Sequence, residues 1–220
     1  MIKIENIEVF GWEAAIRGMR NPLNSWDKSD SIKDVDTGRI AIGGNDLALM
    51  KKLCRAGTDH RKFMRMISTT CDIIAPRYWW AEFDTYKVGT VRNSCSTMHT
   101  IMSKEFAPDD FSHEHFIGNS PEVMNEIIGV LNMWRECYIQ LDKSGGDLSD
   151  LKTCWWQIIQ LLPQSYNQRA TVQMNYEVLA NMYHSRKNHK LDEWHEFCKW
   201  VESLPHSELI TGGSNSKEDK

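Results

Sequence analysis

The stretch from 120 to 142 constrains the fold more than any other. Ser120 and Pro121 make a helix start, because proline suits a first turn. Behind them Val123, Ile127, Val130, Leu131, Trp134 and Tyr138 recur at helical spacing. Gly145-Gly146 closes the unit. A helix this long must bury its apolar side against partners, and the sequence predicts three more helices over 148–162, 170–186 and 190–204. Upstream, Asn45 caps a helix through about 56, with Leu47, Leu49, Met50 and Leu53 on its apolar side and Gly57 as its stop. A short helix is predicted from Asp59, and another from Pro76 through RYWWAEFDTYK. MIKIENIEVF alternates as an edge strand does, and MISTTCDII reads as a second strand. Gly89 and residues 90–93 interrupt the order, and 96–102 is a helix or an extended segment. Residues 17–44 and 104–120 read as loops, the first long enough to carry a function. The class is α+β, a helix-rich single domain over 1–210 with a disordered tail at 211–220.

Composition supports a globular chain. Of 220 residues, 41% are hydrophobic and 25% charged. That excludes a disordered chain, a collagen-like repeat and a coiled coil. The net charge of −4 gives no footprint for nucleic acid. Mean hydropathy is −0.51, and no apolar run approaches the ~20 residues of a membrane span. The first residues do not resemble a secretory leader, so a cytoplasmic location is expected. Six cysteines, none spaced as CxxC, read as reduced and mostly buried thiols. His113 and His115 lack an evident third ligand, and His184, His189 and His195 do not share a helix face, so no metal site is expected. The sequence has no GxSxG, Walker loop, GxGxxG or HExxH. The nine tryptophans suit a core or a stacking wall.

Two segments can carry chemistry. The first, 75–99, sets Lys87, Thr90, Arg92, Asn93, Ser94, Ser96 and Thr97 beside a helix break. Hydroxyls, an amide and cations there suit a phosphate or a sugar. The same residues would also make a solvated turn. The second, 175–193, puts Asn175, Leu179 and Met182 at helical spacing, with Asn181 and Arg186 nearby. This reads either as a ligand face or as a cap at Asn175 with Arg186 serving the helix end.

In their order these segments resemble the flavin-dependent thymidylate synthases. LMKKLCRAGTDH is similar to that family's helix and Gly–His turn, and MISTTCDIIAPRYWWAE to its strand, Ala-Pro and signature helix. A gapless continuation puts Glu82 at the family's Gln. Thr85-Tyr86-Lys87 then fall at the RHR of RHRxxSxNExSxR, Thr90 at the first Ser, Arg92-Asn93 at Asn-Glu, Cys95 at the second Ser and Thr97 at the last Arg. Leu162-Pro163, Asn175, Leu179, Asn181, Arg186, His189 and Glu193 follow the family's C-terminal pattern, with Glu177 at the Arg of NxR. The resemblance covers roughly 45–100 and 160–200. It implies a small antiparallel sheet and a homotetramer with FAD between subunits. It implies methylation of dUMP with methylenetetrahydrofolate carbon and NADPH hydride. Lys87, Asn175 and Asn181 would hold the cofactor. Arg186, Arg92, Asn93, Ser94 and Ser96 would hold the nucleotide. Three readings follow: a flavin-dependent synthase with a rewired pocket, a homologue with changed chemistry, or a non-catalytic nucleotide-binding or sequestering protein.

Overall fold

The structure, a computed structural model, describes residues 2–212. In chain order it forms β1 (Lys3–Phe10), α1 (Trp12–Arg20), β2 (Ile32–Lys33), β3 (Ile40–Ala41), α2 (Gly44–Arg55), β4 (Ser68–Pro76) and α3 (Arg77–Phe83). There follow β5 (Thr90–Ser94), α4 (Thr97–Thr100), α5 (Ser120–Lys143), α6 (Leu148–Leu161), β6 (Asn167–Asn175), α7 (Tyr176–Arg186), α8 (Asp192–Glu202) and α9 (Glu208–Thr211). The class is α+β, helix-rich with a small antiparallel sheet, as the sequence predicts.

Four strands line up as β1-β4-β6-β5, and β2 pairs antiparallel with β3. Period-2 alternation sets their faces. Thr69, Cys71, Ile73 and Ala75 of β4 are buried, as are Ala170, Val172 and Met174 of β6. On the other face Asp72 accepts from Asn6 Nδ2 at 2.8 Å and from Thr171 Oγ1 at 2.5 Å. That polar ladder ties three neighbouring strands.

The chain divides into two compact units. The first comprises Ile74–Phe83 and Ser94–Ala170. Here α5 packs on α6 around Leu131 and Ile158, with Ile101, Phe106 and Phe111 in the same core. Asn132 on α5 exchanges two hydrogen bonds with the Phe106 backbone, at 2.8 and 3.0 Å, and so anchors the preceding loop. Trp79, Trp80 and Phe83 on α3 pack ring against ring. The buried stripe of α5 is Met124, Ile128 and Leu131, while Val123 and Val130 are exposed. Leu131, Ile127 and Trp134 of the predicted stripe do pack on this core, so the correction is confined to Val123 and Val130, whose places are taken by Met124 and Ile128.

The second unit comprises Ile2–Ile73, Asp84–Asn93 and the chain from Thr171 on. Its core holds Met50, Met64, Leu179, Met182, Trp194, Phe197 and Val201. Tyr176 donates its hydroxyl to the Pro205 carbonyl at 2.7 Å. Asp46, fully buried on α2, gathers the long 21–43 segment. It pairs with Arg20 at 2.6 Å and accepts from Ser29 and Ser31 hydroxyls at 2.7 and 2.6 Å.

Several expectations need correction. The loop predicted from 17 begins only after α1, whose Ala15, Ile16 and Met19 form a buried helical stripe. Pro76 ends β4 rather than opening a helix, and α3 stops at Phe83 rather than Lys87. The 90–93 interruption is a strand, β5. The helix predicted from 170 starts at Tyr176, because 167–175 alternates apolar and polar and joins the sheet. The tail predicted at 211–220 lies, from 213 on, outside the described residues, and Thr211 closes α9. No described helix is long and apolar enough to cross a membrane.

Candidate functional site

The second unit brings the 84–93 segment, a turn running into β5, onto α7. At one end Asn175 has extended backbone and caps the helix, its Oδ1 accepting from Val178 N at 2.9 Å. Its own N–H donates to the Gly89 carbonyl at 3.2 Å. Gly89 has φ +80°, and a Cβ there would lie 2.5 Å from Asn175 Nδ2, so the turn requires glycine on both counts. Replacing Asn175 by alanine is expected to cost about 1 kcal/mol, read as a lower denaturant midpoint. Asn175→Asp, which keeps the acceptor, should recover most of that loss.

At the other end of α7 stands Arg186. Its Nε donates to the Tyr86 hydroxyl at 2.8 Å. Its guanidinium carbon lies 4.9 Å from the Trp194 ring centre and 5.5 Å from that of Tyr86. Trp194 is fully buried and the two rings meet edge-on at 6.2 Å. Two aromatic faces and a hydroxyl therefore fix a half-buried guanidinium fork, the geometry that suits bidentate recognition of a phosphate.

The other predicted residues are placed as follows. Arg92 pairs with Asp84 at 2.6 Å across the turn. Thr90 Oγ1 is buried and has no hydrogen-bond partner among the described residues. Lys87, Asn93 and Asn181 are exposed. Ser94 and Ser96 fall in the first unit, where Ser96 precedes α4 and its carbonyl accepts from the Thr100 hydroxyl at 2.7 Å. Glu177, at the position of a family arginine, is buried and engages Arg61 through both oxygens, at 2.9 and 3.1 Å. Desolvation first, then the Lys187 and Arg61 charges, hold His184 below the ordinary histidine range, so it adds no cation at neutral pH.

Sequence reasoning missed Tyr86 and Trp194 as the clamp on Arg186, and Arg61 as the partner of Glu177. The Tyr86–Arg186 and Arg61–Glu177 contacts join residues 100 and 116 apart, and Trp194 reaches Arg186 only because the chain reverses between α7 and α8. A cavity of about 930 Å³ in the same unit, walled by Lys28, Asn45, Leu49, His60 and Lys62, contains none of the predicted residues. Among the described residues no three His, Cys, Asp or Glu side chains are grouped to hold a metal.

No family model matches the sequence, and no curated protein matches it significantly. Solved structures do match. Thymidylate Synthase X (ThyX) from Helicobacter pylori, with FAD and dUMP, has a TM-score of 0.68 at 15% identity, covering 96% of this chain and 98% of that one. A second structure of flavin-dependent ThyX from the same organism, also with FAD and dUMP, gives 0.67 at 16% identity over the same shares. The UMP/dUMP methylase PolB from Streptomyces cacaoi, bound with 5-Br dUMP, gives 0.60 at 16% identity, covering 96% of this chain and 95% of that one. The chain, 220 residues of a helix-rich α+β protein, has the fold of the flavin-dependent thymidylate synthases.

Proposed function

We propose that this chain binds a uracil nucleotide, with Arg186 receiving the phosphate and Arg92, which shares one face of β5 with Thr90, facing the rest of the ligand. The observation that carries this reading is the guanidinium of Arg186, fixed between Tyr86 and Trp194. The orphaned Thr90 hydroxyl supports it. A buried unpaired donor costs about 1–3 kcal/mol, and a ligand oxygen would relieve that cost. The three similar structures add support, since each is described with dUMP or 5-Br dUMP, whereas FAD is named in two.

The residues do not fit FAD. Of the three assigned to the cofactor by resemblance, Asn175 has its side-chain oxygen committed to capping α7. Asn181 offers a neutral amide, and Lys87 is the single cation. Glu177 adds a carboxylate, already matched by Arg61, where a diphosphate would need a positive charge. Reductive methylation of dUMP with methylenetetrahydrofolate and NADPH depends on a flavin to carry the hydride, so it is not part of this proposal. The proposed role is nucleotide binding or sequestration. The proposed role includes assembly as a homotetramer, since Met133 on α5 and Trp156 on α6 are exposed apolar side chains suited to a subunit contact.

Two readouts test the proposal on the purified full chain. With added FAD, no flavin band shifted from that of the free cofactor is expected. With dUMP at a hundred times its dissociation constant, stability should rise by about 2.7 kcal/mol, a melting shift of roughly 5–10 °C. Arg186→Ala should melt near the wild-type temperature without ligand and lose the shift. A bound, shifted flavin band would restore the methylase reading. An unchanged dUMP shift in Arg186→Ala would remove Arg186 from the site.

A further inference from the structure

A second cavity lies in the same unit, away from the 84–93 segment. Its volume is about 620 Å³, enough for a nucleotide. The end of β1, the start of α1, the β2–β3 hairpin and the Pro205–His206 turn form its walls. Arg17 comes from α1 and Arg39 from the hairpin. Among the described residues neither guanidinium makes a hydrogen bond or an ion pair. The carboxylates nearby have lysines of their own. Glu13 pairs with Lys33 at 2.8 Å, and Glu208, 3.8 Å from His206, pairs with Lys51 at 3.3 Å. Lys33 holds the Glu13 carboxyl below its ordinary range, and Arg17 adds to that field.

Arg17 and Arg39 thus line one open space, with the Lys33-paired Glu13 on the same wall, in a chain whose net charge is −4. The apolar wall is aromatic. Phe10 is 45% exposed, and Trp12 meets His206 edge-on at 5.2 Å. His206 is held at φ +52°, a conformation that costs a non-glycine residue. Gly11, at φ +93°, passes so close to Met66 that a Cβ would lie 1.9 Å from its carbonyl oxygen. The backbone at the cavity edge is therefore over-determined, as it is where a site must keep its shape.

We propose that this cavity is an anion site for a phosphate monoester carrying a planar ring, with Arg17 and Arg39 on the phosphate and Trp12 and Phe10 against the ring. It does not depend on the Arg186 site.

The test is calorimetric titration of the full chain with AMP, adenosine and inorganic phosphate. AMP should bind and adenosine should not, and phosphate should compete with AMP. The double variant Arg17→Ala/Arg39→Ala should weaken AMP by about tenfold for each lost guanidinium. Both side chains are exposed, so its melting temperature should hold. Trp12→Phe should remove any AMP-dependent change in tryptophan fluorescence. Arg186→Ala should still bind AMP, which separates this site from the other. No AMP binding by the wild type, equal affinity for adenosine, or an unaltered double variant would each overturn the proposal.

Discussion

Asp46→Asn loses about 3–5 kcal/mol of stability, the expected cost of breaking a buried ion pair from one side. Asp46 is 0% and Arg20 4% exposed, so the change strands a buried guanidinium. Arg20 keeps its bonds to the carbonyls of Ser25 and Lys28, at 3.1 and 3.0 Å, but loses its counter-charge. The same substitution leaves one acceptor oxygen where there were two, so an amide NH2 must face either Arg20 or the Ser29 and Ser31 donors that hold the 21–43 segment on α2. Melting should fall by roughly 6–20 °C, at about 2–4 °C per kcal/mol for a chain of this size.

The effect has a pH signature. Burial alone would raise the Asp46 carboxyl, but bonds from Ser31, Ser29 and Arg20 outweigh it, and the group sits below its ordinary value. Its folded pKa is therefore below its unfolded one. The stability it contributes is complete above the unfolded value, near 3.9, and is lost as pH falls through the folded value. Wild-type stability should decline across that acid window, and Asp46→Asn should decline less. A loss under about 1 kcal/mol with an unchanged acid limb would contradict this account of the 21–43 segment.

The second large effect is at Glu177. Glu177→Gln should cost about 3 kcal/mol, because Arg61 would stay largely buried without its counter-charge. Arg61→Met in the same chain should recover much of the loss, since an apolar pair can replace a buried ion pair at little cost. A near-additive double variant would show that the two charges do not stabilise one another. The prediction bears on function too. Glu177 is an internal partner of Arg61, so Glu177→Gln should change stability without creating affinity for FAD, a point that absorbance with added cofactor checks.

How much the sequence revealed depended on the range of the interactions. Local chemistry was largely legible, although Asn45, read as a cap, lies inside α2 behind Gly43. Asn175 as a cap, Gly57 as a stop at φ +101° and the Ser120-Pro121 helix start all act within a few residues. The strand 167–175 was misread as helix although its alternation of Ala170, Val172 and Met174 is visible, because the helical run behind it masks the change of period at Asn175. In α5 both the Val123–Val130 and the Met124–Ile128–Leu131 stripes are apolar, and only packing decides between them. The clamp on Arg186 was hidden for a different reason. Tyr86 is 100 residues from Arg186, and Arg61 is 116 from Glu177. Contacts of that span leave no mark in spacing or composition. The resemblance in the 175–193 segment pointed to Arg186, but not to the rings that hold it.

Under the proposed function Arg186 recognises the phosphate of a uracil nucleotide. The most direct measurement is calorimetric titration of dUMP and deoxyuridine into the wild type and Arg186→Ala. In the wild type dUMP should bind roughly 10–100-fold more tightly than the nucleoside, as one charge-assisted contact allows. In Arg186→Ala that preference should collapse while the nucleoside affinity stays. A preference for dUMP that survives the loss of Arg186 would contradict the account.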